Sequence, residues 1–332
     1  MDERGQSSAE GANIAPRHRR GAREATVDLI GEADSGGKGA CREACLPQNG
    51  YSSLAMTSTA LITLAPPGSN IQLTLAAFRG AIVTSLCVGG RELLYLDEAT
   101  FADPSKNVRG GIPVLFPTPG KLAEDHWQHD GRQGVMKQHG FARNCAWTVA
   151  ALEAAAVTLK LQSDTETLLQ YPWPFEVLLR LELDKSSMRI ITRVCNTGGE
   201  PMPFALGFHP YFKTADKSGT RIESHATRAF NNLTGKSESF TGFDLTAAQL
   251  DLHLLDHPDP QMKLELEDGA TITVRASADF RRWVVWTLAG KDFVCVEPWT
   301  APGNALNTAE DLIVLPPAGT HESWVEVSYE ER

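Results

Sequence analysis

The stretch WVVWTLAGKDFVCVEP, residues 283–298, sets the reading of this chain. Two short runs rich in Val, Trp and Phe flank LAGKD, a cluster of turn formers. Runs of this length and composition predict strands. The same pattern recurs outward from it. IQLTL at 71–75 alternates, with Ile71, Leu73 and Leu75 on one face. VTLKLQ at 157–162 and TITVRA at 271–276 alternate as well, and EVLLRLELD, RIITRVCN and WVEVSY are further short runs. NTGG at 196–199 and EDG at 267–269 supply turns between runs. Many short strands at this spacing predict an all-β sandwich or barrel. Helical signals are few; LTAAQLDLHLL, from Leu245, predicts one short helix.

The chain has 332 residues and a formal net charge of −10, which argues against a sequence-independent nucleic-acid binder. It leaves room for a small anionic ligand, because a local pair of arginines can hold a phosphate on an acidic protein. The six cysteines form neither a CxxC nor a zinc pattern, and predict reduced, mostly buried thiols. No apolar run reaches the length of a membrane span, and the N-terminus lacks the apolar core of a secretory signal. The expectation is a cytoplasmic, monomeric enzyme with no membrane partner. Residues 1–55 hold a single aromatic residue, Tyr51, and read as a disordered extension, with Met56 as an alternative start. Residues 56–332 read as one large β domain.

Four clusters could carry chemistry. NVRGGIPVLFPTPG, residues 107–120, is a shaped loop in which Arg109 precedes two glycines. KQHGFARN, residues 137–144, sets Gln138 and His139 before Gly140, which lets a ligand approach the backbone, and Arg143 follows. FALGFHPYFK, residues 204–213, carries His209. Pro210 pushes it into extended geometry, so it points with Gly207 and Tyr211, opposite Phe208. In FVCVEPWTAPGNALNT, residues 293–308, Glu297 shares a face with Phe293 and Cys295, and Pro298 is expected to end the strand. A carboxylate on an apolar run is costly unless it is hydrogen bonded or working. On the residues alone, each has a plain alternative: a surface arginine, an exposed loop, a packing histidine, a rim glutamate. No GxSxG, HExxH, GxGxxG or P-loop is present, so serine hydrolases, zinc peptidases, dinucleotide oxidoreductases and kinases lack their parts.

Taken in order, the four clusters resemble the aldose 1-epimerase (mutarotase) family, and within it the glucose-6-phosphate 1-epimerase branch. The matching segments are Arg109 to Pro113 with Phe116 and Pro117, Gln138 to Arg143, His209, and Val294 to Pro298. The resemblance runs from about Met56 to the C-terminus. It implies a galactose mutarotase-like supersandwich, a large antiparallel β-sandwich, with the pocket on the concave face of one sheet. It implies Glu297 as general base, His209 as general acid and His139 as a histidine contacting the sugar. It places Arg109 and Arg143 near a 6-phosphate and Gln138 in the same loop. An orienting aspartate is also implied, with Asp251 the choice and Asp244 the fallback. The chemistry needs these types: opening a sugar ring takes a proton from O1 and gives one to the ring oxygen, which a carboxylate and an imidazolium supply near neutral pH. No cofactor or metal is required. Two rivals remain. One is a carbohydrate-binding protein using Trp173, Trp283 or Trp299 as platforms. The other is a metal enzyme built on His126, His129 and His139.

Overall fold

A computed structural model describes residues 60–332. The expected extension at residues 1–55, together with Met56, Cys41 and Cys45, lies outside them. The alternation at residues 71–75 is realised: Ile71, Leu73 and Leu75 are buried in the strand Ile71–Ala76, whereas Gln72 is exposed. That strand belongs to a four-stranded antiparallel sheet.

Two eight-stranded antiparallel sheets carry most of the rest. One is built around Phe175–Asp184 and Ser187–Asn196, in register from Phe175↔Asn196 to Asp184↔Ser187, with Thr320–Glu330 alongside. The other runs through Lys236–Ser239, Arg228–Asn231, Gln249–Leu254, Arg282–Leu288, Phe293–Trp299, Gly207–Phe208 and Val114–Leu115. Tyr211–Lys213 also pairs with Phe293–Trp299. Alternate residues of the two sheets meet in one hydrophobic cluster. Met188, Ile190, Val325 and Val327 come from the first, and Leu252, Trp283, Val285, Val294 and Val296 from the second. Each large apolar side chain buried in this way contributes about 1.5–3 kcal/mol. The opposite parity of the second sheet is turned away from the core, and the chemistry-bearing residues lie there.

Two expectations are corrected. The helix from Leu245 does not form. Gln249–Leu254 is a strand, paired with Arg282–Leu288 from Gln249↔Leu288 to Leu254↔Trp283. Leu250, Leu252 and Leu254 enter the core at every second residue, a spacing that a helix would scatter around its circumference. Cross-strand packing overrides the local helical preference of the Ala-Ala-Gln segment. Nor does Pro298 end its strand, which runs from Phe293 to Trp299. The helices are short: Glu98–Ala102, Thr165–Gln170 and Ala305–Thr308. Cys87 and Cys145 are half-buried, and Cys195 and Cys295 are buried. Among the described residues, no helix is long and apolar enough to cross a membrane.

Candidate active site

Strand register explains why His209 meets Glu297. Gly207 pairs with Trp299, and Tyr211 with Cys295. Counting inward from both pairs sets His209 opposite Glu297. Each is followed by a proline, which has no N–H to give to a ladder. The backbone N–H of His209 donates elsewhere, to the Pro113 carbonyl at 3.1 Å. The side chains close the gap: Nε2 of His209 lies 3.3 Å from Oε1 of Glu297. The indole N–H of Trp299 donates to Oε2 of Glu297 at 3.1 Å. Both members of the pair are buried, Glu297 to 1% exposure.

The register continues across the sheet. Val284 lies beside Glu297, His253 beside Val284, and Phe230 beside His253. A second row runs Tyr211, Cys295, Trp286, Asp251. Apart from Cys295, the residues of these two rows form the floor of a cavity of about 840 Å³, within the size range of small-molecule sites. Nε2 of His253 stands 3.3 Å from Oδ1 of Asp251, and the Asn232 amide donates to Oδ2 of Asp251 at 2.8 Å. The Tyr211 ring stacks on His209, with centroids 4.6 Å apart and planes 10° from parallel.

Loops make the wall. His139 has a left-handed backbone, φ 71°, followed by Gly140 at φ 68°. A Cβ on Gly140 would stand 2.2 Å from the Phe116 carbonyl oxygen, so glycine is required there. His139 N–H donates to Gly120 O at 2.8 Å, and Gly120 N–H donates back to Nδ1 of His139 at 3.1 Å. That leaves the proton of a neutral ring on Nε2, and the Gln138 side-chain amide, 3.1 Å away, can accept it only with its oxygen turned toward the ring. Arg143 donates from Nη2 to the Gln138 carbonyl at 2.8 Å, and its Nε is buried without a partner. Arg109 sits over the Trp286 ring at 6.0 Å. Among the described residues, neither arginine has a carboxylate within ion-pair distance.

Burial governs the electrostatics. It pushes the Glu297 carboxyl well above the usual carboxylate range, with Asp251 adding to the effect and the Trp299 N–H opposing it. Burial pulls His209 down to about 3, and the Arg143 charge acts in the same direction. His139 is lowered well below the ordinary imidazole value by burial, then by His209 and Arg143. Both shifts favour the uncharged forms, a protonated Glu297 beside a neutral His209. Nδ1 of His209 is buried without a hydrogen-bond partner, so nothing on that side fixes the tautomer. A proton can pass between Oε1 and Nε2 without reaching solvent.

Arg109, Gln138, His139, Arg143, His209, Asp251 and Glu297 all line this one cavity, though they come from five separate segments of the sequence. Asp244 does not: it is exposed and accepts hydrogen bonds from Thr246. Of the tryptophans considered as platforms, Trp299 lines the cavity, whereas Trp173 and Trp283 belong to the core. His126, His129 and His139 form no group, among the described residues, with ligand atoms close enough to share an ion. Sequence reasoning missed His253, Trp286 and Lys121. The first was legible, because Asp251 and His253 are two apart on one strand and must share a face.

Known proteins match this architecture. The profile of the family described as Aldose 1-epimerase matches residues 61–328. A protein of Cenchrus ciliaris named "Putative glucose-6-phosphate 1-epimerase" is 34% identical over 166 residues, 46% of this chain and 46% of that protein, so the match spans about half its length. The crystal structure of the Slr1438 protein from Synechocystis sp. PCC 6803 is 35% identical. It covers 85% of this chain and 100% of its own, with a TM-score of 0.80. A galactose mutarotase-like protein from Lactobacillus casei ATCC 334, 22% identical, shares the fold with a TM-score of 0.68, over 82% of this chain and 100% of its own. On the strength of a profile that takes in nearly the whole β-sandwich, the chain belongs to the aldose 1-epimerase family.

Proposed function

We propose that this protein interconverts the α and β anomers of a hexose 6-phosphate, with Glu297 and His209 as its acid–base pair. The observation that carries the reading is the 3.3 Å approach of His209 Nε2 to Glu297 Oε1 on the floor of a cavity of about 840 Å³, large enough to admit a hexose phosphate. The two oxygens that must exchange protons, O1 and the ring oxygen, are borne by one carbon. A proton acceptor and a proton donor for them must therefore stand close together. When sugar hydroxyls contact the pair, the shared proton moves from Glu297 to His209. Glu297 then takes the O1 proton as His209 gives its proton to the ring oxygen. The C1–ring oxygen bond breaks, C1 turns about the C1–C2 bond, and the reverse transfers close the ring. The pair ends with the one proton it began with. Each positioned transfer is worth about 10²–10⁴-fold. Asp251 and His253, held together by their own contact, are suited to orient hydroxyls at the far side of the floor.

The phosphate preference rests on Arg109 and Arg143, which face the cavity without a carboxylate partner among the described residues; Lys121 lines it too. Guanidinium groups bind phosphate with charge-assisted hydrogen bonds worth about 1.5–3 kcal/mol each. The test compares anomerisation of glucose 6-phosphate and glucose. A preference of roughly 10²-fold in kcat/KM for the phosphate is expected. Equal rates would make the protein a mutarotase of free aldoses. Tight sugar binding with no acceleration would make it a carbohydrate-binding protein on the same fold.

A further inference from the structure

We infer that His209, Glu297 and Cys295 form a binding site for a thiophilic divalent cation such as Zn²⁺, whose occupation blocks the cavity floor. Cys295 is two residues before Glu297 on the same strand face and directly opposite Tyr211. Its Sγ, a nitrogen of His209 and an oxygen of Glu297 all lie within 4.8 Å of one another. The 3.3 Å between Nε2 and Oε1 is about the separation of two tetrahedral ligands each bonded to zinc at about 2.0–2.1 Å. An inward turn of the thiol completes a three-ligand set, with the fourth position open to the cavity for water.

The donor set selects the ion. Sulfur with imidazole favours zinc, cobalt and copper over the oxygen-seeking magnesium and calcium. Charge balance favours it as well. A thiolate, a carboxylate and a neutral imidazole, the forms in which these side chains bind a metal, together neutralise one divalent ion. A neutral assembly suits a site where Cys295 and Glu297 are almost fully buried. Binding stands apart from the proposed reaction, but its consequence for that reaction is direct: an ion between Nε2 and Oε1 takes both atoms that would handle protons.

The test titrates the reduced full-length protein with Co²⁺ and reads the near-ultraviolet thiolate-to-cobalt band. One band per chain is expected, displaced by Zn²⁺. Cys295→Ser should abolish it, and Glu297→Gln should weaken cobalt affinity by at least about 10–100-fold. In parallel, Zn²⁺ should inhibit anomerisation competitively with sugar, and Cys295→Ser should keep its basal rate while losing that inhibition. A band that survives Cys295→Ser comes from other cysteines and overturns the site; so does a cobalt affinity unchanged in Glu297→Gln, or the absence of any band. The cobalt readout needs no activity, so it stands or falls separately from the anomerase assignment. Should Cys295→Ser fail to fold, Glu297→Gln still decides the outcome.

Discussion

His209, in the break between the strands Gly207–Phe208 and Tyr211–Lys213, falls opposite Glu297 of Phe293–Trp299, with 3.3 Å between Nε2 and Oε1, and each is followed by a proline. The prolines remove backbone donors where a ladder would otherwise continue. The side chains of the pair bridge the two segments at this point.

The pH dependence follows from the directions of the two shifts. The working pair carries one proton. Burial lowers His209 to about 3, so a second proton is added only in strong acid. Burial raises Glu297 well above the carboxylate range, so the single proton is lost only at a pH well above that at which an ordinary carboxylate gives it up. After subtraction of spontaneous anomerisation, kcat/KM should pass through the ordinary carboxylate range without a break and fall only at a higher pH. A loss of activity on acidification through the ordinary glutamate value, about 4.3, would contradict this account.

Trp299→Phe keeps an aromatic ring but removes the N–H that donates to Glu297. That bond favours the carboxylate, so its loss should move the alkaline limb to higher pH. Loss of a hydrogen bond to a charged group, about 1.5–3 kcal/mol, predicts a fall in kcat of roughly 10–100-fold. An unchanged alkaline limb would mean that the indole only packs.

The two arginines should separate by substrate. Arg109→Ala should lower kcat/KM for glucose 6-phosphate by roughly tenfold or more while leaving glucose nearly unaffected. Arg143→Ala should lower both, because Arg143 also holds the Gln138 carbonyl in the loop that carries His139. Equal losses on both sugars for Arg109→Ala would remove the basis for phosphate preference.

Gly140→Ala tests the loop. The substitution imposes a left-handed backbone on alanine and sets its Cβ against the Phe116 carbonyl. A cost of about 1–3 kcal/mol is expected, at about 2–4 °C of Tm per kcal/mol for a domain of this size. A melting temperature within 1 °C of the unsubstituted protein's would show that the loop relaxes freely.

Most of the site was legible because strands impose a period of two. FVCVEP put Glu297 on the face opposite Val294 and Val296, and Pro210 put His209 on the face opposite Phe208. What the alternation could not show was register. Nothing local in either segment says that residue 209 falls opposite 297; that follows from ladders closed by residues ninety positions apart. His253, two residues after Asp251, was concealed differently, by reading its strand as a helix. The helix expected from Leu245 failed for a related reason. Ala247, Ala248 and Gln249 favour helix locally, but Leu250, Leu252 and Leu254 repeat at the strand period, and the longer-range packing prevails.

The central claim is that Glu297 and His209 act together on one sugar carbon. Exchange NMR measures it most directly, through the rate at which the anomers of glucose 6-phosphate interconvert at equilibrium with the unsubstituted protein or with Glu297→Gln, alongside the dissociation constant of each for the sugar. Glutamine keeps the shape and removes the proton acceptor. The account predicts enzyme-dependent exchange well above the spontaneous rate, a fall of at least about 10²-fold in Glu297→Gln, and sugar affinity within about threefold. A Glu297→Gln protein that keeps more than roughly a tenth of the exchange rate while binding sugar normally would contradict it.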